Sequence, residues 1–163
     1  MSRNALSTIR ETKNKNIAFV VETLTGKEYL IDICNELVNL GFNCTFFYLE
    51  NKGPYSFVDC AVEQLDNIWA YSGHIFVFNL WLARYLCRCP AQKKIYFFDP
   101  EMSWTKLPQP LYYDMAHVYL HNRLTLLAPP QQAEIIGQVW KNCGVIQEFN
   151  AESIKNLIGE KNE

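Results

Sequence analysis

Asp99 and Glu101 are the two carboxylates whose setting suggests chemistry. They leave the apolar run at residues 95–98 and enter a loop that carries Trp104. Partial burial beside an indole raises a carboxyl pKa, and such a group can act as general acid or base. The other reading is a solvated turn in which Asp99 closes an Asx-turn ahead of Pro100. His117 and His121 stand four residues apart and would share a face of a helix over residues 111–121. A metal site would need a third ligand and support behind it, so these histidines read as surface or core side chains and no metal is expected. His74 opens a strand, either as a satisfied core residue or as a base at the opposite rim. No GxSxG, GxGxxG or GxxxxGK[ST] pattern occurs, so nucleophile-elbow, dinucleotide and P-loop chemistry lack their motifs, and no cofactor is expected.

The six cysteines (Cys34, Cys44, Cys60, Cys87, Cys89 and Cys143) form no CxxC pair. Several fall on apolar faces, where reduced cysteine behaves as a small hydrophobe. The chain opens on no signal-peptide pattern and has no apolar run of bilayer length, which points to a reduced cytoplasm and no membrane span. Net charge is −2 over 163 residues, which argues against a nucleic-acid binder working by charge alone but leaves a local basic face open.

The elements that must position these residues begin with a strand–helix–strand unit. Residues 17–21 are continuously apolar, as in a central strand covered on both faces. Thr25 and Glu28 have capping-box spacing, with Gly26 inside that first turn. Leu30, Ile33, Cys34, Leu37 and Val38 then make one apolar helical stripe, Gly41 sits at the helix exit, and residues 44–49 form a second strand. A helix over residues 55–66 would bury Phe57, Val58, Ala61, Val62 and Leu65, and residues 67–71 are ambiguous, a short strand or the approach to one.

Further strands are expected at 74–78, 95–98, 124–128 and 145–149. Asn79 suits a helix N-cap, Pro129 and Pro130 suit a helix start, and Asn150 caps a terminal helix. Residues 1–16 read as a mobile leader, with an arm touching an acidic partner as the alternative, and residues 17–163 as one domain. The alternation predicts a doubly wound, Rossmann-like α/β domain of about six mostly parallel strands, with helices on both faces and strand order 3-2-1-4-5-6. Ligands of such sheets bind beyond the strand carboxyl ends, near the reversal of strand order. That rim gathers residues 22–26, 78–79, 99–104 and 128–131. Its candidate ligand-binding side chains are Thr23, Thr25, Gly26, Asn79 and Trp104, with helix capping as the competing role for Thr25 and Gly26.

The order of segments resembles the N-terminal half of two-Rossmann (GT-B) glycosyltransferases, and phage-encoded glycosyltransferase-like proteins in particular. IAFVVETLTGKEY and LGFNCTFFYLE resemble the start of that half. HIFVFNLWLARYLCRCPAQKKIYFFDPEMSW resembles its middle strands, and LTLLAPPQQAEIIGQVW with VIQEFN the segment before the second domain. The resemblance spans residues 17–150 and implies that the loop Thr23 to Gly26 faces the cleft. In that family the sugar-nucleotide donor is held mainly by the second domain, which is not found here. The resemblance therefore implies an acceptor-side half of a split or degenerate glycosyltransferase. Its partner would be a second half or a second copy of the chain. Its acceptor would be a sugar or glycosylated molecule, modified DNA in a phage setting, inside the host cytoplasm. Whether such a half is itself an enzyme stays open. Two readings stand beside it: a non-catalytic scaffolding domain with Trp104 and Tyr112 in its contact surface, and a small nucleotide-binding enzyme using Asp99 or Glu101.

Overall fold

The structure, a computed structural model, describes residues 15–50, 58–89, 94–108 and 111–159. Its strands are Asn16–Val21 (β1), Asn43–Tyr48 (β2), Ala61–Gln64 (β3), His74–Val77 (β4), Lys94–Phe98 (β5), Leu124–Ala128 (β6) and Cys143–Val145 (β7). Its α-helices are Glu28–Asn39 (α1), Leu80–Leu86 (α2), Tyr112–Tyr119 (α3), Pro130–Val139 (α4) and Ala151–Gly159 (α5). All strand pairs are parallel, in the order β3-β2-β1-β4-β5-β6-β7. This is the doubly wound α/β architecture expected from the alternation of elements, with seven parallel strands instead of about six mostly parallel ones. The expected neighbours are corrected, because Ala61–Gln64 takes the edge beside β2 and His74–Val77 pairs with β1 instead.

Strands without a polar face need cover on both sides, and the sheet divides its side chains accordingly. Ala18, Val20, Ile75, Val77, Ile95, Phe97, Leu124 and Leu126 point to a core roofed by α2, α3 and α4, with Leu82, Met115, Val118 and Ile136 buried in it. Ile17, Phe19, Val21, Phe46, Phe76 and Tyr96 point the other way, under Leu30, Cys34 and Leu37 of α1 and Ile154 and Ile158 of α5. His74 belongs to this second face: it is 2% exposed and its Nδ1 lies 3.1 Å from the Tyr96 hydroxyl. Burial pushes the Tyr96 phenol up to about 12.

Several helix ends follow from single residues. Asn79 Oδ1 accepts the Trp81 and Leu82 amides at 2.8 and 3.2 Å, and Asn150 Oδ1 accepts the Ser153 amide at 2.9 Å, as expected of N-caps. Pro130 occupies the first turn of α4, where its missing N–H costs no helical hydrogen bond. Gly41 takes the left-handed conformation (φ 86°) at the exit of α1. At the end of α2 the Arg123 guanidinium covers the Cys87 and Cys89 carbonyls.

Other local expectations are corrected. The helix over 55–66 is not formed where the chain is described, residues 55–57 lying outside the described residues. Ala61–Gln64 instead adds edge strand β3 to β2, and Leu65–Ala70 forms a 3-10 helix that also takes in most of the ambiguous stretch 67–71. Leu65 and Ile68, three apart, are the two buried anchors of that turn, and only Leu65 belonged to the expected helical stripe. The helix expected over 111–121 ends at Tyr119, so His121 lies beyond it. The last strand runs at 143–145, ahead of the expected 145–149, and Phe149 turns inward against Phe76, Phe78 and Phe98. The capping box also fails, because Gly26 is left-handed (φ 73°) and no helix can run back through it to Thr25. Lys27 takes the N-cap position, its carbonyl accepting the Leu30 and Ile31 amides. Asn16, assigned above to the leader, starts β1; residues 1–14 lie outside the described residues.

Gly73 enters β4 against the Asn16 carbonyl, where an added Cβ would come within 2.5 Å of backbone oxygen. Gly73→Ala should therefore destabilise the fold by roughly 1–3 kcal/mol through overpacking. Gly137, in the last turn of α4 with open space around it, should gain up to roughly 0.5–1 kcal/mol as Gly137→Ala. Urea unfolding of the two variants checks both signs.

Candidate functional site at the reversal of strand order

The order β2-β1-β4 places β1 at the reversal, and the loops leaving β1 and β4 diverge there. The gap between them is a cleft of about 260 Å³ lined by Val20, Val21, Glu22, Thr23, Thr25, Lys27, Phe78 and Asn79. Buried strand ends supply its apolar floor and the loop residues its polar walls. The turn after β1 is held locally: the Thr25 amide donates to Thr23 Oγ1 at 3.3 Å, and the Lys27 amide to the Leu24 carbonyl at 3.1 Å. Leu24 is 3% exposed and pins this turn to the core. On the opposite wall Asn79 is doubly engaged. Its oxygen caps α2, and its Nδ2 donates to Glu22 Oε1 at 2.9 Å, so the β4 loop holds the β1 loop across the cleft.

The chemistry of this cleft is polar recognition. Two threonines, one carboxylate, one ammonium and the first turn of α1, whose leading amides have no partner within the helix, suit a small ligand bearing hydroxyls or partial negative charge. Of the expected residues, Thr23, Thr25 and Asn79 come together here, with Gly26 shaping the turn between Thr25 and the start of α1. Lys27 was missed by the sequence reading. The signal that would have exposed it is Gly26 itself, since a left-handed glycine moves the helix start to the next residue.

Asp99, Glu101 and Trp104 are not part of the cleft wall. Asp99 is 2% exposed and is not in a solvated turn. Its carboxylate accepts the Ser103 amide at 2.9 and 3.0 Å, the Ser103 hydroxyl at 2.7 Å and the Tyr119 hydroxyl. It thereby organises the 3-10 helix Ser103–Lys106 and ties it to α3. Burial and the adjacent Asp99 push the Tyr119 phenol well above its usual range. Glu101 is the solvated member of the pair: it is exposed and bonded to Lys106, which holds its carboxyl below the usual range. Trp104 packs edge-on against Trp140, ring centroids 5.8 Å apart, with its indole nitrogen buried. The turn between these residues places Met102 in the left-handed region (φ 49°), a conformation that side chains other than glycine adopt at a cost.

His117 and His121 stack edge to face at 5.4 Å. His121 Nδ1 accepts the Arg123 amide, and burial followed by the Arg123 charge lowers its pKa. Among the described residues no group of three His, Cys, Asp or Glu side chains is arranged to hold a metal ion, and no helix is long and apolar enough to cross a membrane. A larger groove of about 460 Å³ lies between β2, β3 and the 3-10 helix Leu65–Ala70, walled by Glu63, Asp66, Trp69 and Tyr71. It lies off the rim, at the edge of the sheet, and none of the expected site residues faces it.

Compared with known proteins, the chain matches no family model, no curated protein and no solved structure.

Asp99 and Glu101 differ in what their loss should do. Asp99→Ala removes the acceptor of a buried network and should cost about 3 kcal/mol, whereas Glu101→Ala should leave the stability close to the parent's. Chemical denaturation of both variants measures the difference.

Proposed function

We propose that this chain is a glycosyltransferase-like, Rossmann-like domain that takes a small hydroxylated ligand of the sugar or glycoside class in the cleft between the β1 and β4 loops. It serves there as the acceptor-side half of a split or degenerate transferase. The observation that carries this reading is the gathering of Thr23, Thr25, Lys27, Glu22 and Asn79 around one cleft at the strand-order reversal. Hydroxyls, an ammonium and a carboxylate are groups that recognise sugar hydroxyls in several directions at once. The same geometry argues against Asp99 and Glu101 as the acid–base pair. One carboxylate is sealed under Tyr119 and Ser103, and the other is on an exposed turn bonded to Lys106. The domain on this reading binds and positions, and the transfer chemistry comes from a second half or a second copy of the chain.

A second reading, a non-catalytic protein-binding domain, is favoured by one observation. Tyr112 and Tyr113 are 55% and 86% exposed, side by side at the start of α3. Trp104, packed against Trp140, serves such a surface only indirectly.

A thermal-shift series with simple glycosides, free sugars and nucleotide sugars tests the leading reading. A ligand at 100 times its Kd stabilises the native state by about 2.7 kcal/mol. For a chain of this size that raises the melting temperature by roughly 5–10 °C. The double variant Thr25→Val, Lys27→Ala should melt close to the parent and lose the shift. A shift with none of these ligands, or one that survives in the double variant, contradicts the reading.

A further inference from the structure

We propose that Cys34 and Cys60 form a reversible disulfide when the chain meets a hydroperoxide, a modification that staples the middle of α1 to the segment entering β3. The two sulfurs lie 3.1 Å apart, with Cys34 Sγ donating to Cys60 Sγ, although the residues are 26 positions apart in sequence. A disulfide needs about 2.0 Å, so closure asks for a movement of roughly 1 Å. The approach is held from beside it. The Asp59 amide donates to Asn35 Oδ1 at 3.0 Å, and each of these residues is the chain neighbour of one of the cysteines. The pair therefore sits on two backbones already tied together.

The two thiols have different parts to play. Cys34 is fully buried, and Cys60 is partly exposed at the end of the pair that a small oxidant reaches. The hydrogen bond from Cys34, with a further one from the Phe46 backbone, favours the thiolate of Cys60 and holds its pKa below the usual thiol value despite its burial. Cys34 is shifted upward by its hydrogen bonds to Cys44 and Cys60 and by its burial, so it stays a thiol. The Cys60 thiolate attacks the terminal hydroperoxide oxygen, the O–O bond breaks, and the alkoxide (hydroxide when the oxidant is hydrogen peroxide) leaves to be protonated, giving a sulfenic acid. Cys34 sulfur then attacks the Cys60 sulfur, and the departing hydroxide takes the Cys34 proton as water. Two thiols and one hydroperoxide thus give one disulfide, water and the corresponding alcohol, or a second water when the oxidant is hydrogen peroxide.

The test is hydrogen peroxide treatment of the reduced, folded chain, alkylation of the remaining thiols, and peptide mapping. The expected result is an intact-mass loss of about 2 Da before alkylation, a single Cys34–Cys60 link and full reversal by dithiothreitol. Cys60→Ser should abolish the link, and Cys87→Ser should retain it. Recovery of six alkylated cysteines after treatment, a Cys34–Cys44 link in its place, or a bond between chains would overturn the proposal. Circular dichroism of each variant separates loss of the link from loss of the fold.

Discussion

An aromatic row across four neighbouring strands fixes the geometry on which everything else depends. Phe46, Phe19, Phe76 and Tyr96 stand opposite one another in the registers of β2, β1, β4 and β5. Their rings meet in sequence at 5.4, 5.9 and 4.8 Å. A slip of one residue between any two of these strands would send one ring to the opposite face and break the row. Aromatic pairs also add stabilisation beyond their buried area, so register is specified by packing as well as by connection length. Once register is fixed, so is the height at which each strand ends, and therefore which loops meet at the rim.

That constraint explains why the polar cleft forms between β1 and β4. Both strands end level, their loops leave toward opposite faces, and Phe78 closes the floor, stacked on Phe19 at 6.4 Å. Asn79 then couples the two loops by capping one helix and holding Glu22 of the other strand's loop. Asp99 stands at a strand end too, but its neighbours turn it inward. Its amide continues the sheet by donating to the Leu127 carbonyl, and its carboxylate is consumed by Ser103 and Tyr119. Two polar residues at equivalent places in the repeat thus take different roles, one opening a ligand site and one closing a loop.

Much of the fold was legible in the sequence because the signals were local. Apolar runs marked five strands in place and a sixth displaced by a few residues, Asn79, Asn150 and Pro130 marked helix starts, and alternation marked the doubly wound class but not which strands are neighbours. What was illegible depended on partners distant in sequence. The exposed edge strand β3 shows no apolar alternation, and it is a strand because β2 offers it a ladder. The burial of Asp99 depends on Tyr119, twenty residues later. The rim was foreseen as a place, with Thr23, Thr25 and Asn79 on it. Its division into an open cleft and a sealed turn was not, because either carboxylate environment fits the same DPEMSW stretch. The failed capping box at Thr25 is the exception: the glycine that prevents it lies next to it in the sequence.

The most direct measurement is a heteronuclear NMR titration of the whole chain with the glycoside or nucleotide sugar that gives the largest thermal shift. Binding at the reversal of strand order should move the amide signals of residues 22–28 and 78–82, with little change at 63–71 or 99–106. Perturbations concentrated on the groove around Glu63, Trp69 and Tyr71, or spread without a focus, would contradict a ligand cleft between β1 and β4.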